Sequence, residues 1–238
     1  MSGHSKWSTI KRAKGAADAK RSTLFNRLSK QISIAVKEGG GSGDPALNFK
    51  LRVEIDKAKA QSLPHTTIDR AIKKGLGEGG AAIEKVVYEG YGPFGVPILI
   101  VTATDNKNRT VASIKHILSK NNGNLGEQGS VAWQFKTIGQ ILVERDNQID
   151  TYSLLAIDSG AEDVIETEEG LEIKTTPESI NQIKEQLQSA GANIVSSEVI
   201  MESTQPISLD ESQAKKIQNL AEILEEDDDV VAIHLGIN

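Results

Sequence analysis

The 238-residue sequence contains no cysteine. That excludes a disulfide framework, a thiol nucleophile and any cysteine-ligated zinc or iron–sulfur site, and it suits a reducing compartment. Aromatic residues are scarce, with 2 Trp, 3 Tyr and 4 Phe, so the cores must be assembled from Ile, Leu, Val and Ala. No run of about 18 apolar residues occurs, and the basic N-terminus lacks the continuous apolar stretch of a secretory signal. The expectation is a soluble, cytoplasmic chain with no membrane contact. What is present is the ordinary balance of a globular protein, 38% hydrophobic and 25% charged, at a length suited to two or three domains.

The net charge of -6 hides a division. Residues 1–78 hold 16 Lys and Arg against 7 Asp and Glu, a net +9, whereas residues 79–238 hold 11 against 26, a net -15. Such asymmetry points to a polyanion bound by the basic end. The alternative is a basic face packed on its acidic neighbour.

Hydrophobic periodicity makes the basic third helical. Leu24, Leu28, Ile32 and Ala35 form one stripe, which Ser22 or Thr23 is placed to cap and Gly39–Gly43 to end. Asp44 and Pro45 look like an N-cap and first helical position for a second helix, with stripe Leu47, Leu51, Ile55 and Ala58. Pro64 breaks it. Thr66 or Thr67 is the expected cap of a third, carrying Ile68 and Ile72 and stopping at Gly75. Residues 2–21 are expected to be an arm or a weakly formed helix. Beyond Gly75–Gly80 the period becomes strand-like: Val86–Tyr88, then Ile98–Val101, a helix opening at Asp105-Asn106, and a strand over Ser130–Phe135. Residues 138–202 read β-α-β-β-α-β, the ferredoxin-like order. A helix with Ala214, Ile217, Ala221 and Leu224 follows, then a strand from Val230 to Leu235. The fold class is therefore α+β multidomain: a three-helix bundle (1–78), a discontinuous α+β domain (79–137 with 203–238), and a ferredoxin-like domain (138–202) inserted in it.

Chemical motifs are few. Gly90, Gly92 and Gly95 spell the dinucleotide fingerprint, but a strand follows where the motif needs a helix N-terminus, so no cofactor is expected. The turn Tyr91, Gly92, Pro93, Phe94 and Gly95 is instead a candidate partner-contact loop. The four histidines (His4, His65, His116, His234) lack paired ligand spacing, and no metal site is expected. Glu225–Asp229 reads as a solvated acidic edge. Nothing singles out a catalytic pair, and the protein is expected not to be an enzyme. The arm differs: His4, Lys6, Trp7, Lys11, Arg12, Lys14, Lys20 and Arg21, continued by Arg27 and Lys30, are the candidate nucleic-acid-binding residues. Their cations neutralise phosphates, and the lone indole offers a stacking face.

Several runs carry a resemblance: Gly3-His4-Ser5-Lys6-Trp7, Ile10-Lys11, Asp18-Ala19-Lys20-Arg21, Ile55-Asp56-Lys57-Ala58-Lys59-Ala60, Tyr88-Glu89-Gly90-Tyr91-Gly92-Pro93, Thr104-Asp105-Asn106, Asn108-Arg109-Thr110, and Asn124 to Trp133. Together they resemble the YebC/PmpR family. The stretch Gly41–Phe49 departs slightly from the family's inter-helix loop. The resemblance implies three domains, one inserted in another, and no enzymatic activity. It also implies one of two roles, a DNA-binding transcriptional regulator or, as in relatives that include a mitochondrial one, a translation factor, which in bacterial members relieves ribosome stalling at proline-rich stretches. Three functions stand: a monomeric regulator that binds DNA, an RNA-bound factor on the ribosome, and a scaffold whose acidic domains bind protein.

Overall fold

The computed structural model describes residues 18–78 and 83–237. These form seven α-helices and two four-stranded antiparallel sheets, an α+β chain. It divides into two compact units, Met1–Ala132 with Ile207–Asn238, and Trp133–Pro206.

In the first unit three helices lead. Helix α1 (Asp18–Glu38) runs straight through Ser22 and Thr23, which therefore do not cap it. No glycine or proline interrupts residues 18–38, so extending the helix costs less than ending it there. The helix stops where Gly40 and Gly41 take φ of 82° and 75°, and the Gly41 N–H donates to Val36 O at 2.9 Å. Helix α2 (Phe49–Ala60) starts later than expected, capped by Asn48, whose Oδ1 accepts from Leu51 N. Asp44 spends its carboxylate on Ala46 N, and its carbonyl receives Leu47 and Asn48 N–H groups, which makes a closed turn of that segment. Leu47, expected in the core stripe, is consequently 80% exposed. Helix α3 (His65–Gly75) begins one or two residues before the expected threonine caps, with Pro64 at the N-cap and no side-chain cap bond. The bundle core joins Leu28, Ile32, Val36, Leu51, Ile55, Ala58, Ile68 and Ala71.

The unit's sheet has the order β3-β1-β2-β8, formed by β1 (Glu84–Tyr91), β2 (Pro97–Thr104), β3 (Asn124–Leu125) and β8 (Val230–Leu235). Helices α4 (Lys107–Lys120) and α7 (Glu211–Glu225) cover one face through Ile98, Ile100, Ile114, Leu118, Ile217, Leu220 and Leu224. Ala103 and Val231 pack with Ile34 of α1 on the other. Strand β2 is covered on both sides, which is why its Ile98–Val101 segment is an unbroken apolar run rather than an alternating one.

The second unit is built from β4 (Phe135–Glu144), α5 (Ile149–Asp158), β5 (Asp163–Glu166), β6 (Gly170–Thr175), α6 (Ile180–Ser189) and β7 (Ile194–Ser203). Its strands lie in the order β5-β6-β4-β7, every neighbouring pair antiparallel. Ile141, Val143, Tyr152, Ala156, Ile173, Ile183 and Leu187 form its core.

The expected strand over Ser130–Phe135 is corrected: residues up to Gln134 form a bend and a short 3-10 turn, and the strand starts at Phe135. The reason is Glu89 on β1. Its Oε1 accepts from Gly129 N at 2.6 Å, and its Oε2 accepts from Val131 N at 2.8 Å and Ala132 N at 2.7 Å. Amides held by one carboxylate are not available to a sheet ladder.

Candidate nucleic-acid interface

His4, Lys6, Trp7, Lys11, Arg12 and Lys14 lie outside the described residues. Lys20 lies on α1, with its side chain outside the description. Arg21 is exposed and sets its guanidinium 5.4 Å from the Phe25 ring centroid. The remaining two candidates are turned inward. Lys30 Nζ lies 2.6 Å from both Asp229 Oδ1 and Asp228 O. Arg27 Nη2 lies 3.4 Å from Glu225 O and 3.9 Å from Glu225 Oε2. Lys37 likewise donates to Ile83 O at 2.7 Å. This side of α1 thus fastens the bundle to the sheet.

Glu225, Glu226 and Asp228 are exposed, as expected of a solvated edge, but Asp229 and the carbonyls of Glu225 and Asp228 supply the other half of that fastening. Asp229 is 5% exposed. Besides Lys30, Arg109 Nη2 donates to its Oδ2 at 2.9 Å, and the hydroxyls of Thr110 and Thr104 stand 2.7 and 3.2 Å from the same oxygen. Burial pushes the carboxyl up, but the Lys30, Thr110 and Arg109 bonds outweigh it and hold the pKa at about 2. Asp227 accepts from Ser113 Oγ and from the Asp229 N–H, which turns the chain from α7 into β8. A run of five acids read in isolation carries no sign of this, because its cations come from positions some 120 and 200 residues earlier. For Glu89, burial again opposes ionisation, and the three amides hold its pKa below the usual carboxylate value.

The cations that face solvent are elsewhere. Buried Ile68, Ala71 and Gly75 fix the orientation of α3, leaving Thr66, Asp69, Arg70 and Lys73 exposed along its outer side. On α2, Arg52 and Lys59 are exposed. Arg70, Lys73 and Lys59 have no acidic partner among the described residues, whereas Lys50 and Lys57 pair with Glu38 and Glu54 at 2.9 Å each. Helices α2 and α3 are joined by the four residues Gln61–Pro64, a turn length of the helix-turn-helix class. Composition revealed the charge of this third of the chain but not the division of its cations into inward and outward sets.

The candidate contact loop forms a braced tip between β1 and β2. A Cβ at Gly92 would fall 2.9 Å from the Ile98 Cδ1 methyl and 3.2 Å from that of Ile217, so a side chain there would have to push these methyl groups aside. Tyr91 donates its hydroxyl to Ser130 O at 3.0 Å. Phe94 adopts φ of 65° and is 44% exposed, with Lys216 Nζ 5.7 Å from its ring centroid. Strand β2 follows the turn, as expected. Among the described residues, no group of three His, Asp or Glu is placed to hold a metal, and no helix is long and apolar enough to cross a membrane.

Family comparison joins these features. A family model described as the TACO1/YebC protein N-terminal domain matches residues 5–78, and one described as the TACO1/YebC second and third domain matches residues 83–237. The chain belongs to the TACO1/YebC family. Relatives in it are named probable transcriptional regulatory proteins. One from Thermoanaerobacter pseudethanolicus is 48% identical over 240 residues, covering 100% of this chain and 97% of its own. One from Geobacillus thermodenitrificans is 46% identical over 242 residues, covering 100% and 97%. The crystal structure of a conserved hypothetical protein from Aquifex aeolicus shares the fold, with a TM-score of 0.82 and 36% identity over 94% of this chain and 93% of that one. TACO1/YebC relatives thus carry the names of regulatory proteins, not of enzymes.

Proposed function

We propose that this chain is a non-enzymatic, nucleic-acid-binding regulator of gene expression that engages its target through the basic helical bundle. The observation that carries this reading is the outward set of cations: Arg70 and Lys73 on α3 and Lys59 on α2 are exposed and unpaired among the described residues. Unpaired exposed cations are what a phosphate backbone requires, since each contact releases condensed counterions. The first form of the reading is a DNA-binding transcriptional regulator. It agrees with the names of the relatives and with α3 following α2 after a four-residue turn, its Thr66, Arg70 and Lys73 on one side. The second form is an RNA-binding translation factor on the ribosome, favoured by the exposed aromatic Phe49 at the start of α2, because structured RNA is read largely by backbone contacts and stacking.

The test is duplex-DNA binding by the full chain across a salt series, beside co-sedimentation with ribosomes. Two variants accompany the wild type, Lys6/Lys11/Arg12/Lys14→Ala and Arg70→Ala/Lys73→Ala. Sequence-selective DNA binding at physiological salt supports the first form, and salt-sensitive ribosome association supports the second. Binding to neither overturns the reading and leaves a protein-binding role for the acidic residues 79–238.

A further inference from the structure

Phe49 is one of only 4 phenylalanines in the chain, and it stands 56% exposed in the most basic part of the molecule. An aromatic ring left in water forfeits the apolar burial that usually decides its position. Two features show that its display is built into the loop. The first is the rigidity of the preceding segment. Asn48 is 2% exposed, and its side-chain amide donates to Ala35 O and to Ser42 O at 3.0 Å each while its oxygen caps α2. The loop between α1 and α2 is thereby stitched to both helices, and Leu47 and Phe49 are held outward on either side of the stitch. The second feature is the guanidinium of Arg52, 5.3 Å from the Phe49 ring centroid. It occupies one side of the ring with a planar cation and leaves the ring otherwise accessible.

The surroundings select the occupant. Gly43 of the same loop abuts α3, since a Cβ there would lie 3.1 Å from both Ile72 and Leu76. That places the loop beside the helical turn carrying Lys73 and Lys74. A π surface with a guanidinium 5.3 Å from its centroid, on a bundle that carries exposed cations, matches a flat, electron-rich ring attached to a phosphate. In a paired duplex the base faces are covered by their neighbours, so an unpaired nucleotide is needed. We propose that Phe49 and Arg52 form a stacking platform for an unpaired base, and that the target of the bundle is a nucleic acid that presents unpaired nucleotides. This rests on the nucleic-acid-binding reading above and narrows its target class.

The test compares full-length wild type, Phe49→Ala and Phe49→Trp by fluorescence anisotropy. The probes are an RNA hairpin with an unpaired loop, the DNA hairpin of the same sequence, and blunt RNA and DNA duplexes. A 2-aminopurine in the loop reports stacking directly. Because Phe49 is exposed, its replacement leaves the fold intact, which circular dichroism checks. The expected result is a loss of hairpin affinity of about 5- to 150-fold for Phe49→Ala, the range of one stacked base. Duplex affinity stays unchanged, Phe49→Trp restores the loss, and the 2-aminopurine signal change disappears in Phe49→Ala alone. RNA and DNA hairpins bound alike assign the site to the base, whereas preference for RNA adds recognition of the 2′-hydroxyl; either supports the platform. Equal losses on hairpins and duplexes, or no loss on any probe, overturn it while leaving the broader reading standing. A wild type that binds no probe overturns the broader reading itself, and the platform with it.

Discussion

Replacing Asp229 by Asn keeps the size of the side chain and removes the charge on which Lys30 and Arg109 converge. The carboxyl pKa falls from 3.8 to about 2 on folding. That corresponds to about 2 kcal/mol of stability at neutral pH, at roughly 1.36 kcal/mol per unit. Substitution adds a geometric penalty, because the amide nitrogen is a donor set among donors. Losing one partner of a fully buried ion pair costs about 3–5 kcal/mol. Lys30 and Arg109 retain side-chain exposures of 19% and 57%, so water relieves part of that cost. The predicted loss for Asp229→Asn is about 2–3 kcal/mol, measured by urea unfolding at pH 7. The sign of the pH dependence follows from the depressed pKa. The stabilisation is complete above pH 3.8 and fades as pH falls toward 2. The gap between wild type and Asp229→Asn should therefore be widest near neutrality and shrink through that window. A Lys30→Met partner variant completes a cycle in which the two losses are not additive. A loss below about 0.5 kcal/mol, the range of ordinary surface substitutions, or a gap that ignores pH, would refute the assignment of Asp229 as the fastening between α1 and the sheet.

Other substitutions probe the remaining supports. Gly95→Ala should lower stability by about 1 kcal/mol in thermal unfolding, because a side chain at φ of 76° carries backbone strain. Glu89→Ala should lose about 3 kcal/mol by urea unfolding, since three amides of the Gly129–Ala132 turn are left without their charged acceptor. Gly75→Ala should cost about 1–3 kcal/mol through overpacking, as its Cβ would fall 2.7 Å from Ser33 O and from the Val36 Cβ.

Periodicity was sufficient for the elements whose burial is regular. The stripe Leu28, Ile32, Ala35 and the strand Val230–Leu235 appear where spacing places them, as does the β-α-β-β-α-β order of residues 138–202. Helix starts were harder to read, because capping residues have competing local uses. Asp44 closes a turn rather than capping α2, and the cap passes to Asn48, which also reaches Ala35 and Ser42. The candidate interface was legible as charge but not as geometry. Lys30 and Arg27 have the same composition signature as Arg70 and Lys73, yet the first pair faces the sheet and the second faces water. Only the path of the chain, which returns Glu225–Asp229 to α1, separates them. The exposure of Phe49 has no signature in the sequence, because an aromatic next to an apolar helix stripe ordinarily belongs to the core.

The central claim is that outward cations on α2 and α3 bind phosphates, and the salt dependence of binding measures this directly. The logarithm of affinity plotted against the logarithm of salt concentration should fall steeply for wild type. For Lys59→Ala/Arg70→Ala/Lys73→Ala the slope should be shallower by about two to three, near 0.9 for each duplex phosphate that is no longer neutralised. An unchanged slope in that variant, or wild-type binding indifferent to salt, would contradict the account.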